Sequence, residues 1–179
     1  MEHLSCTACS LKDHRTQVVP GMGNVDAKIA FVAEAPGKQE DMEGEPLVGA
    51  AGKHFDSLLG QAGLRREVVW IDNVVHCRPP KNNLRLYPDA RVTCPAMWLM
   101  PTLEALPNLR VVVAMGATAC GMWFPGQLSV REMDGLQRAT QEYTIVGTYH
   151  PSASIRTGGS YDRNIVRAME LAKELASGQ

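Results

Sequence analysis

The hydrophobic and polar positions of the chain follow two alternating patterns. Four short runs are mostly apolar, at residues 28–33, 68–74, 110–115 and 144–149. Continuous apolar runs of this length are typical of strands covered on both faces, as in a parallel sheet. Two other stretches repeat apolar residues every three or four positions, which predicts amphipathic helices. Their apolar positions are Val92, Ala96, Leu99, Leu103 and Leu106 in one, and Ile165, Met169, Ala172 and Leu175 in the other.

The alternation of these strands and helices predicts an α/β fold. We expect a three-layer α/β/α sandwich with a central four-stranded parallel sheet, whose ligands bind at the carboxyl ends of the strands. The chain has 179 residues and carries no internal repeat and no linker-like tract. That length is ordinary for one domain, so the prediction is a single domain over residues 1–179.

Composition and charge exclude several classes of protein. Apolar residues make up 45% of the chain and charged residues 21%, which is ordinary for a globular protein and excludes a disordered one. The net charge of −1 argues against a protein that coats DNA, although a local basic patch can still bind phosphates. The first residues lack the basic and apolar stretches of a secretory signal. We therefore expect a cytoplasmic monomer.

Four of the five cysteines have the layout of a four-thiolate metal site. Cys6 and Cys9 form a close pair, and Cys77 and Cys94 follow singly at a distance. A metal centre on these residues would tether the N-terminal segment to the folded body. Structural zinc and an iron–sulfur cluster both use such ligands, and the spacing alone leaves the two open. The alternative, that the two distant cysteines are buried apolar residues, leaves the close pair without partners. Cys120 lies in a predicted helix and is interpreted as a packing residue.

Three segments that follow predicted strands carry the candidate chemistry. The first reads Glu34-Ala-Pro-Gly, followed by Gln39-Glu-Asp and then Gly44-Glu-Pro-Leu-Val-Gly. The second runs from Asn73 through Val-Val-His to Cys-Arg-Pro-Pro-Lys-Asn, and the third reads Tyr149-His-Pro-Ser-Ala. Each segment alone is a common strand-to-turn sequence. In this order and spacing, together with the cysteines, they resemble the motifs of family 4 uracil-DNA glycosylases over nearly the whole chain.

The resemblance implies a fold, a cofactor and a reaction. The cofactor is a [4Fe-4S] cluster on the four cysteines named above, and the sheet has four parallel strands. The reaction is hydrolysis of the N-glycosidic bond of uracil in DNA, which leaves an abasic site for base excision repair. Position by position, Glu34 and Glu40 match the acids of the first motif, and Asn73 matches the residue that reads the uracil edge. Asn82 matches an active-site asparagine, and His150 matches the histidine of the second motif.

The chemistry of the reaction independently requires residues of these types. Cleavage leaves positive charge on the sugar and negative charge on the uracil ring, so a carboxylate and several hydrogen-bond donors are needed. Glu34 or Glu40 can orient water and stabilise the sugar. His150 can donate to uracil O2, and the amide of Asn73 complements O4 and N3–H. The predicted uracil contacts are Ala33, Glu34, Ala35, Leu47, Asn73 and His150.

The predicted partner is DNA that contains uracil, with the target base flipped out of the helix. Cations near the candidate site can hold its phosphates. The predicted DNA contacts are Arg78, Lys81, Arg85, Ser152, Arg156 and Arg163.

Two departures from the family pattern keep alternatives open. Ala33 stands where the family usually has glycine, and Leu47 stands where it usually has a phenylalanine that stacks on uracil. One alternative is therefore a glycosylase of the same superfamily with a shifted preference, such as deaminated purines. Another is a DNA-binding member with attenuated catalysis. A nucleotide-binding α/β enzyme is disfavoured because no glycine-rich phosphate loop follows the first strand.

Overall fold

The protein is built on one six-stranded sheet, seen here in a computed structural model that describes residues 3–124, 126 and 128–178. The strands are β1 (Met22–Gly23), β2 (Ile29–Ala33), β3 (Trp70–Asn73), β4 (Val111–Met115), β5 (Gln137–Ala139) and β6 (Thr144–Thr148), in the spatial order β1-β3-β2-β4-β6-β5. The four central strands are parallel, and β1 and β5 pair antiparallel at the two edges. The predicted α/β class and the four parallel strands are confirmed. The two edge strands were not predictable from the sequence, because they have two and three exposed residues and no apolar run.

Helices connect the strands and cover both faces of the sheet. They are α1 (Lys38–Glu43), α2 (Ala50–Gln61), α3 (Pro88–Cys94), α4 (Met100–Ala105), α5 (Ala117–Trp123), α6 (Val130–Met133), α7 (Pro151–Arg156) and α8 (Asp162–Ser177). Short 3-10 turns occur at Ser10–Asp13, Arg66–Val68, Pro80–Asn82 and Leu84–Leu86. None of these described helices is long and apolar enough to cross a membrane.

Successive residues of the central strands face two separate cores, which makes the three layers. On β2, Phe31 faces the core formed with α2 and α8, and its ring lies 5.0 Å from that of Phe55. Its neighbours Ala30 and Val32 face the other core, which contains Leu103 of α4. All five residues of β2 are buried. Because both faces are covered, the strands carry no polar alternation, as their apolar runs predicted.

The first predicted apolar helix face is wrong in its N-terminal half. Val92 is 73% exposed and Ala96 is exposed as well. Residues Pro95–Leu99 form a π-helical segment between α3 and α4, and Pro95 has no N–H to donate to the preceding turn. The wider turn shifts the buried face by one residue. Cys94 and Leu99 are both buried and stand five residues apart across the π segment, and the other buried positions are Ala90, Pro95, Leu103 and Leu106.

The second predicted face is confirmed in α8. Ile165, Met169 and Ala172 are buried, and Leu175 is partly buried against the same core. Asp162, the first residue of this helix, accepts hydrogen bonds from Ser154 Oγ and His54 Nε2, both at 2.6 Å. The start of α8 is thereby attached to α7 and α2.

Helix α2 supports the segment at residues 44–49 by close backbone contact. A Cβ atom at Gly52 would lie 1.8 Å from the Leu47 carbonyl oxygen, whereas one at Gly60 would meet nothing within 4 Å. Both glycines are in the same helix. We expect Gly52→Ala to lower the free energy of unfolding by about 1–3 kcal/mol, the usual cost of overpacking. Gly60→Ala should raise it by about 0.5–1 kcal/mol, because alanine loses less entropy in a helix. Urea midpoints of the two variants measure this, and equal shifts would contradict the contact.

Candidate active site and cysteine centre

A cavity of about 640 Å³ opens at the carboxyl ends of the parallel strands. The last residues of β3 and β4 line it, together with residues from the segments that follow all four central strands. Nine of the predicted site residues are among them: Glu34, Ala35, Glu40, Leu47, Asn73, Asn82, His150, Ser152 and Arg156. The topology therefore brings together segments that are distant in sequence, as expected for the switch region of an α/β sheet.

Glu40 is held by the backbone of the segment at residues 44–49. Its Oε1 atom accepts hydrogen bonds from the N–H groups of Val48 at 3.0 Å and Gly49 at 2.8 Å. Its other oxygen faces Gly37, where a Cβ atom would lie 2.6 Å away. The side chain is only 7% exposed. One oxygen is thus fixed by two backbone donors, and the other has space because residue 37 is glycine.

Glu34 follows β2 directly and lies at the wall of the cavity. Its Oε2 atom accepts a hydrogen bond from the hydroxyl of Thr118 in α5. Its backbone carbonyl accepts the N–H of Val75 at 3.1 Å, which extends the β2–β3 pairing past the strand ends. The carboxylate is partly exposed, so it can face a ligand while Thr118 limits its rotation.

Asn73 is the last residue of β3 and is 2% exposed, with its side chain lining the cavity. Its backbone N–H donates to Asp72 Oδ1 at 2.8 Å. Asp72 is fully buried, and its other oxygen accepts the indole N–H of Trp70 at 3.2 Å. The buried carboxylate therefore anchors the strand end that presents Asn73.

His150 follows β6 and caps the N-terminus of α7. Its Nδ1 atom accepts the backbone N–H of Ser152 at 3.1 Å. Since that N–H can only donate, the proton of the neutral ring lies on Nε2. Burial lowers the pKa of His150 to about 4, the charge of Arg156 adds to the shift, and Glu40 opposes it. The ring is consequently a neutral hydrogen-bond donor at pH 7.

Gly116 permits the close approach of His150. It has a φ of 89°, in the left-handed region, and a Cβ atom there would lie 3.1 Å from the Cβ of His150. Any L side chain would be strained at this φ and crowd the ring.

Leu47 lines the cavity from a strained turn. It has a φ of 51° although it is not glycine, and its side chain is 5% exposed. Its carbonyl accepts a hydrogen bond from the guanidinium of Arg66, which also contacts the Pro46 carbonyl at 3.3 Å. The side chain is thereby kept at the cavity wall despite the cost of the backbone conformation.

The four predicted metal ligands surround a second, narrow space of about 10 Å³. Cys6 and Cys9 reach it from the N-terminal segment, Cys77 from the segment after β3, and Cys94 from the end of α3. Cys120 lies elsewhere in the core, and its Sγ donates to the Ala114 carbonyl at 3.1 Å. The packing interpretation of Cys120 agrees with this position.

Three N–H groups point at the cysteine sulfurs. Trp98 Nε1 lies 3.4 Å from Cys6 Sγ, and the backbone N–H of His76 lies 3.3 Å from Cys94 Sγ. The guanidinium of Arg15 lies 3.5 Å from Cys77 Sγ. Donors of this kind stabilise thiolates that ligate a metal.

The cysteine surroundings fit a bound cation. Burial raises the pKa of Cys77 to about 11 and that of Cys94 to about 12, so both thiols need a bound cation to ionise at pH 7. In the described part of the chain, no three His, Cys, Asp or Glu side chains are arranged around a single metal ion. Four cysteines around one buried space are a donor set that suits a structural zinc ion or an iron–sulfur cluster.

Comparison with known proteins identifies the family. A family model described as Uracil DNA glycosylase superfamily matches residues 20–171.

The chain belongs to the uracil DNA glycosylase superfamily.

Curated members of this superfamily resemble the chain over most of its length. The type-4 uracil-DNA glycosylase of Thermotoga maritima is 41% identical over 163 residues, which cover 90% of this chain and 83% of that protein. The type-4 enzyme of Archaeoglobus fulgidus is 40% identical over 161 residues, covering 85% and 79%. The type-5 enzyme of Thermus thermophilus is 35% identical over 115 residues, covering 56% and 51%.

Five predicted site residues of this superfamily member do not line the main cavity. Ala33 is fully buried inside β2, where the flanking strands and helices cover it. Arg78 instead donates to Asn82 Oδ1 at 3.1 Å and so holds another predicted residue. Lys81 is exposed, in a turn with a φ of 54°. Arg163 is exposed on α8, and Arg85 lines a separate polar cavity.

Two tyrosines at the cavity were not among the predicted site residues. The rings of Tyr149 and Tyr161 stack with centroids 3.9 Å apart and an interplanar angle of 5°, and both residues line the cavity. Tyr149 directly precedes His150 in the quoted motif, which is the signal that could have identified it. Tyr161 carries no such signal, because only the fold brings the segment before α8 to this wall.

The lowered pKa of His150 predicts a pH-dependent stability. The unfolded ring has a pKa near 6.5 and the folded ring about 4, so the unfolded state binds more protons between these values. Stability should therefore fall as the pH drops from about 7 to 4, by at most about 3 kcal/mol from this group. His150→Asn keeps a capping acceptor but does not titrate.

Urea unfolding of both proteins at pH 7.5, 6, 5 and 4 measures the difference. The variant should lose this part of the pH dependence. It should retain the part that comes from His3, because burial also lowers the pKa of that residue to about 4. Parallel curves for the two proteins would show that the pKa of His150 is not lowered by folding.

Proposed function

We propose that the protein hydrolyses the N-glycosidic bond of deoxyuridine in DNA, releasing uracil and leaving an abasic site for base excision repair. One observation carries the proposal: in a chain of this superfamily, two carboxylates, a buried amide and a neutral imidazole converge on one cavity. The reaction needs water oriented by a base and donors that face the uracil anion. Type-4 relatives that are 41% and 40% identical bear the name of this activity.

Asn73 and His150 are proposed to recognise the base. The amide of Asn73 offers a donor to uracil O4 and an acceptor to N3–H, a pattern that cytosine reverses. The N–H of His150 Nε2 is proposed to donate to O2, where negative charge develops. A neutral donor is effective here because its proton is already fixed by the bond from Ser152 to Nδ1. The N–H groups of Glu34 and Ala35 are proposed as further donors.

The two carboxylates are proposed to act on the water and on the sugar. Glu40 has one oxygen held by two backbone donors, which leaves the other free to orient a water molecule. Glu34 lies at the cavity wall and can stabilise positive charge on the sugar. Asn82 also lines the cavity, positioned by Arg78. No lysine among the described residues lines the cavity, which supports water as the nucleophile rather than an amine.

The proposed substrate is uracil-containing DNA with the base flipped into the cavity, bound by a protein monomer. Arg156 and Ser152 lie at the cavity and are proposed to contact the DNA backbone, with Arg78, Lys81 and Arg163 outside it. The cytoplasmic location remains a prediction from the sequence.

A second candidate is a superfamily glycosylase with a shifted base preference. Leu47 supplies an aliphatic wall where the family pattern leads one to expect an aromatic ring, and the Tyr149–Tyr161 pair adds an aromatic surface elsewhere. A pocket with its aromatic surface in another place can favour a different base. A deaminated purine is the competing substrate class.

Oligonucleotides that carry uracil, hypoxanthine or xanthine, treated with alkali after incubation, distinguish the two candidates. We expect strand cleavage with uracil and no covalent complex on borohydride treatment. Glu40→Gln and His150→Asn should each lower the single-turnover rate by roughly 10²–10⁴-fold, the usual range for such groups. Glu43→Gln, on the same helix but exposed, is the matched control and should leave the rate unchanged. Full activity in both site variants would place the chemistry elsewhere.

We also propose that Cys6, Cys9, Cys77 and Cys94 hold a [4Fe-4S] cluster. When bound, the cluster would ionise the four thiols and join the N-terminal segment to α3 and to the segment after β3. The N–H groups of Trp98, Arg15 and His76 are placed to stabilise its thiolates.

Metal analysis tests this proposal separately from activity. The purified protein should be brown and contain about four irons and four sulfides. Cys94→Ser should lose the colour and the iron and unfold at lower urea. Cys120→Ala, which removes a thiol outside the centre, should keep the iron. Stoichiometric zinc without labile sulfide would disprove the cluster.

A further inference from the structure

A polar cavity of about 390 Å³ adjoins the main one and is not explained by base recognition. It is lined by Glu34, Asn82, Asn83, Leu84, Arg85, Arg91, Ala117 and Thr118. Three of these residues, Glu34, Asn82 and Ala117, also line the main cavity. The two spaces are therefore neighbours that share a wall, and a ligand in one can extend past that wall into the other.

Two arginines give the polar cavity its charge. Arg85 and Arg91 are both exposed, and neither forms an ion pair with an acidic residue in the part of the chain that the structure describes. The acid at the shared wall is Glu34, which accepts a hydrogen bond from the hydroxyl of Thr118. Two guanidinium groups against one carboxylate leave a net charge of +1, so the cavity as a whole attracts one singly charged anion.

Folded backbone holds both arginines in place. The Arg85 N–H donates to the side chain of Asn83 at 3.2 Å, and the neighbouring Leu84 is 2% exposed. Arg91 lies in α3, one residue after the buried Ala90 and three before Cys94. Because their main chains are already ordered, the two arginines lose less entropy on binding than arginines on a mobile loop.

We propose that Arg85 and Arg91 bind one of the two phosphodiesters that flank the extruded nucleotide. This inference rests on the proposed function. In a nucleotide the sugar separates the base from the phosphate. With the base in the main cavity, the sugar lies at the shared wall beside Glu34, and the phosphate lies in the polar cavity. The arrangement gives Arg91 a phosphate-binding role that the sequence did not indicate. It also gives Arg85 a defined phosphate, which the other predicted DNA-binding cations lack. It also accounts for Glu34 at the wall, next to the sugar carbon that becomes positive.

Neutralising single phosphates in the substrate tests the assignment. Duplexes are prepared with a methylphosphonate at each of several positions around the uracil nucleotide, one position per duplex. The native protein should lose at least about tenfold in kcat/KM when one flanking phosphate is neutral, the scale of a charge-assisted contact. The double variant R85A/R91A should show a similar loss on unmodified DNA. On the duplex with that one neutral phosphate, the kcat/KM values of the two proteins should differ by less than about twofold. Removing the arginines and neutralising the phosphate abolish the same contact, so their effects on kcat/KM do not add.

Binding tests the same site without chemistry. Duplexes with a tetrahydrofuran residue in place of the uracil nucleotide are titrated at several salt concentrations and followed by fluorescence anisotropy. The slope of log K against log salt should fall by about 0.9 in the double variant, as for the loss of one phosphate contact. Charge-conserving R85K/R91K should keep the native slope. Arg110→Ala, at the opposite end of β4, is the control and should change neither slope nor rate.

The outcomes separate this inference from the proposed function. If the native protein releases no uracil, the proposed function fails, and the anisotropy data still decide whether the arginines bind a phosphate. If uracil is released but R85A/R91A keeps the native salt slope, the phosphate site is disproved. Equal sensitivity of the double variant and the native protein to every methylphosphonate would disprove it as well.

Discussion

The candidate site depends on the in-register parallel pairing of the four central strands. Ala33 pairs with Asn73 across β2 and β3, and Met115 pairs with Thr148 across β4 and β6. The strands therefore end at the same edge, and the residues that follow them converge there. Glu34, Asn73, Gly116 and His150 come together for this reason alone. Burial of both faces of the sheet holds the register, because a slip by one residue would exchange the two cores.

A chain of buried polar contacts connects this edge to the cysteine centre. Asp72 Oδ1 lies 2.7 Å from His76 Nε2, and both side chains are buried. His76 Nδ1 lies 2.7 Å from His3 Nε2, and His3 stacks on Trp98 with centroids 4.1 Å apart. Trp98 in turn donates to Cys6. The strand that presents Asn73 is thus connected to the N-terminal segment that carries Cys6.

The segment between Cys77 and Cys94 also supplies residues to both cavities. It carries Asn82 to the main cavity and Arg85 and Arg91 to the polar one. An exposed contact also connects this segment to the N-terminal segment. Asp89, in the first turn of α3, accepts hydrogen bonds from the backbone N–H and the hydroxyl of Ser10 at 2.7 and 2.8 Å. A cluster on the four cysteines would therefore stabilise the wall against which DNA is proposed to lie. Its contribution would be positional, since none of the four ligands lines the main cavity.

The sequence by itself determined the α/β class, the four parallel strands, the apolar face of α8 and the family. These follow from local periodicity and from motifs whose residues stand close together in the chain. The roles of Glu40, Asn73 and His150 remain predictions, but their residue types and their positions at or after the ends of strands were readable from the sequence, and the fold brings them to one cavity. The π turn at Pro95 was not readable, because a single extra residue in a helix leaves no mark in the pattern until the buried positions are known. Only the tertiary structure decided that Ala33 faces the core, that Tyr161 reaches the cavity, and that Arg85 and Arg91 share a polar space. Those facts depend on which chain segments pack against each other, and that is set by the sum of many distant contacts.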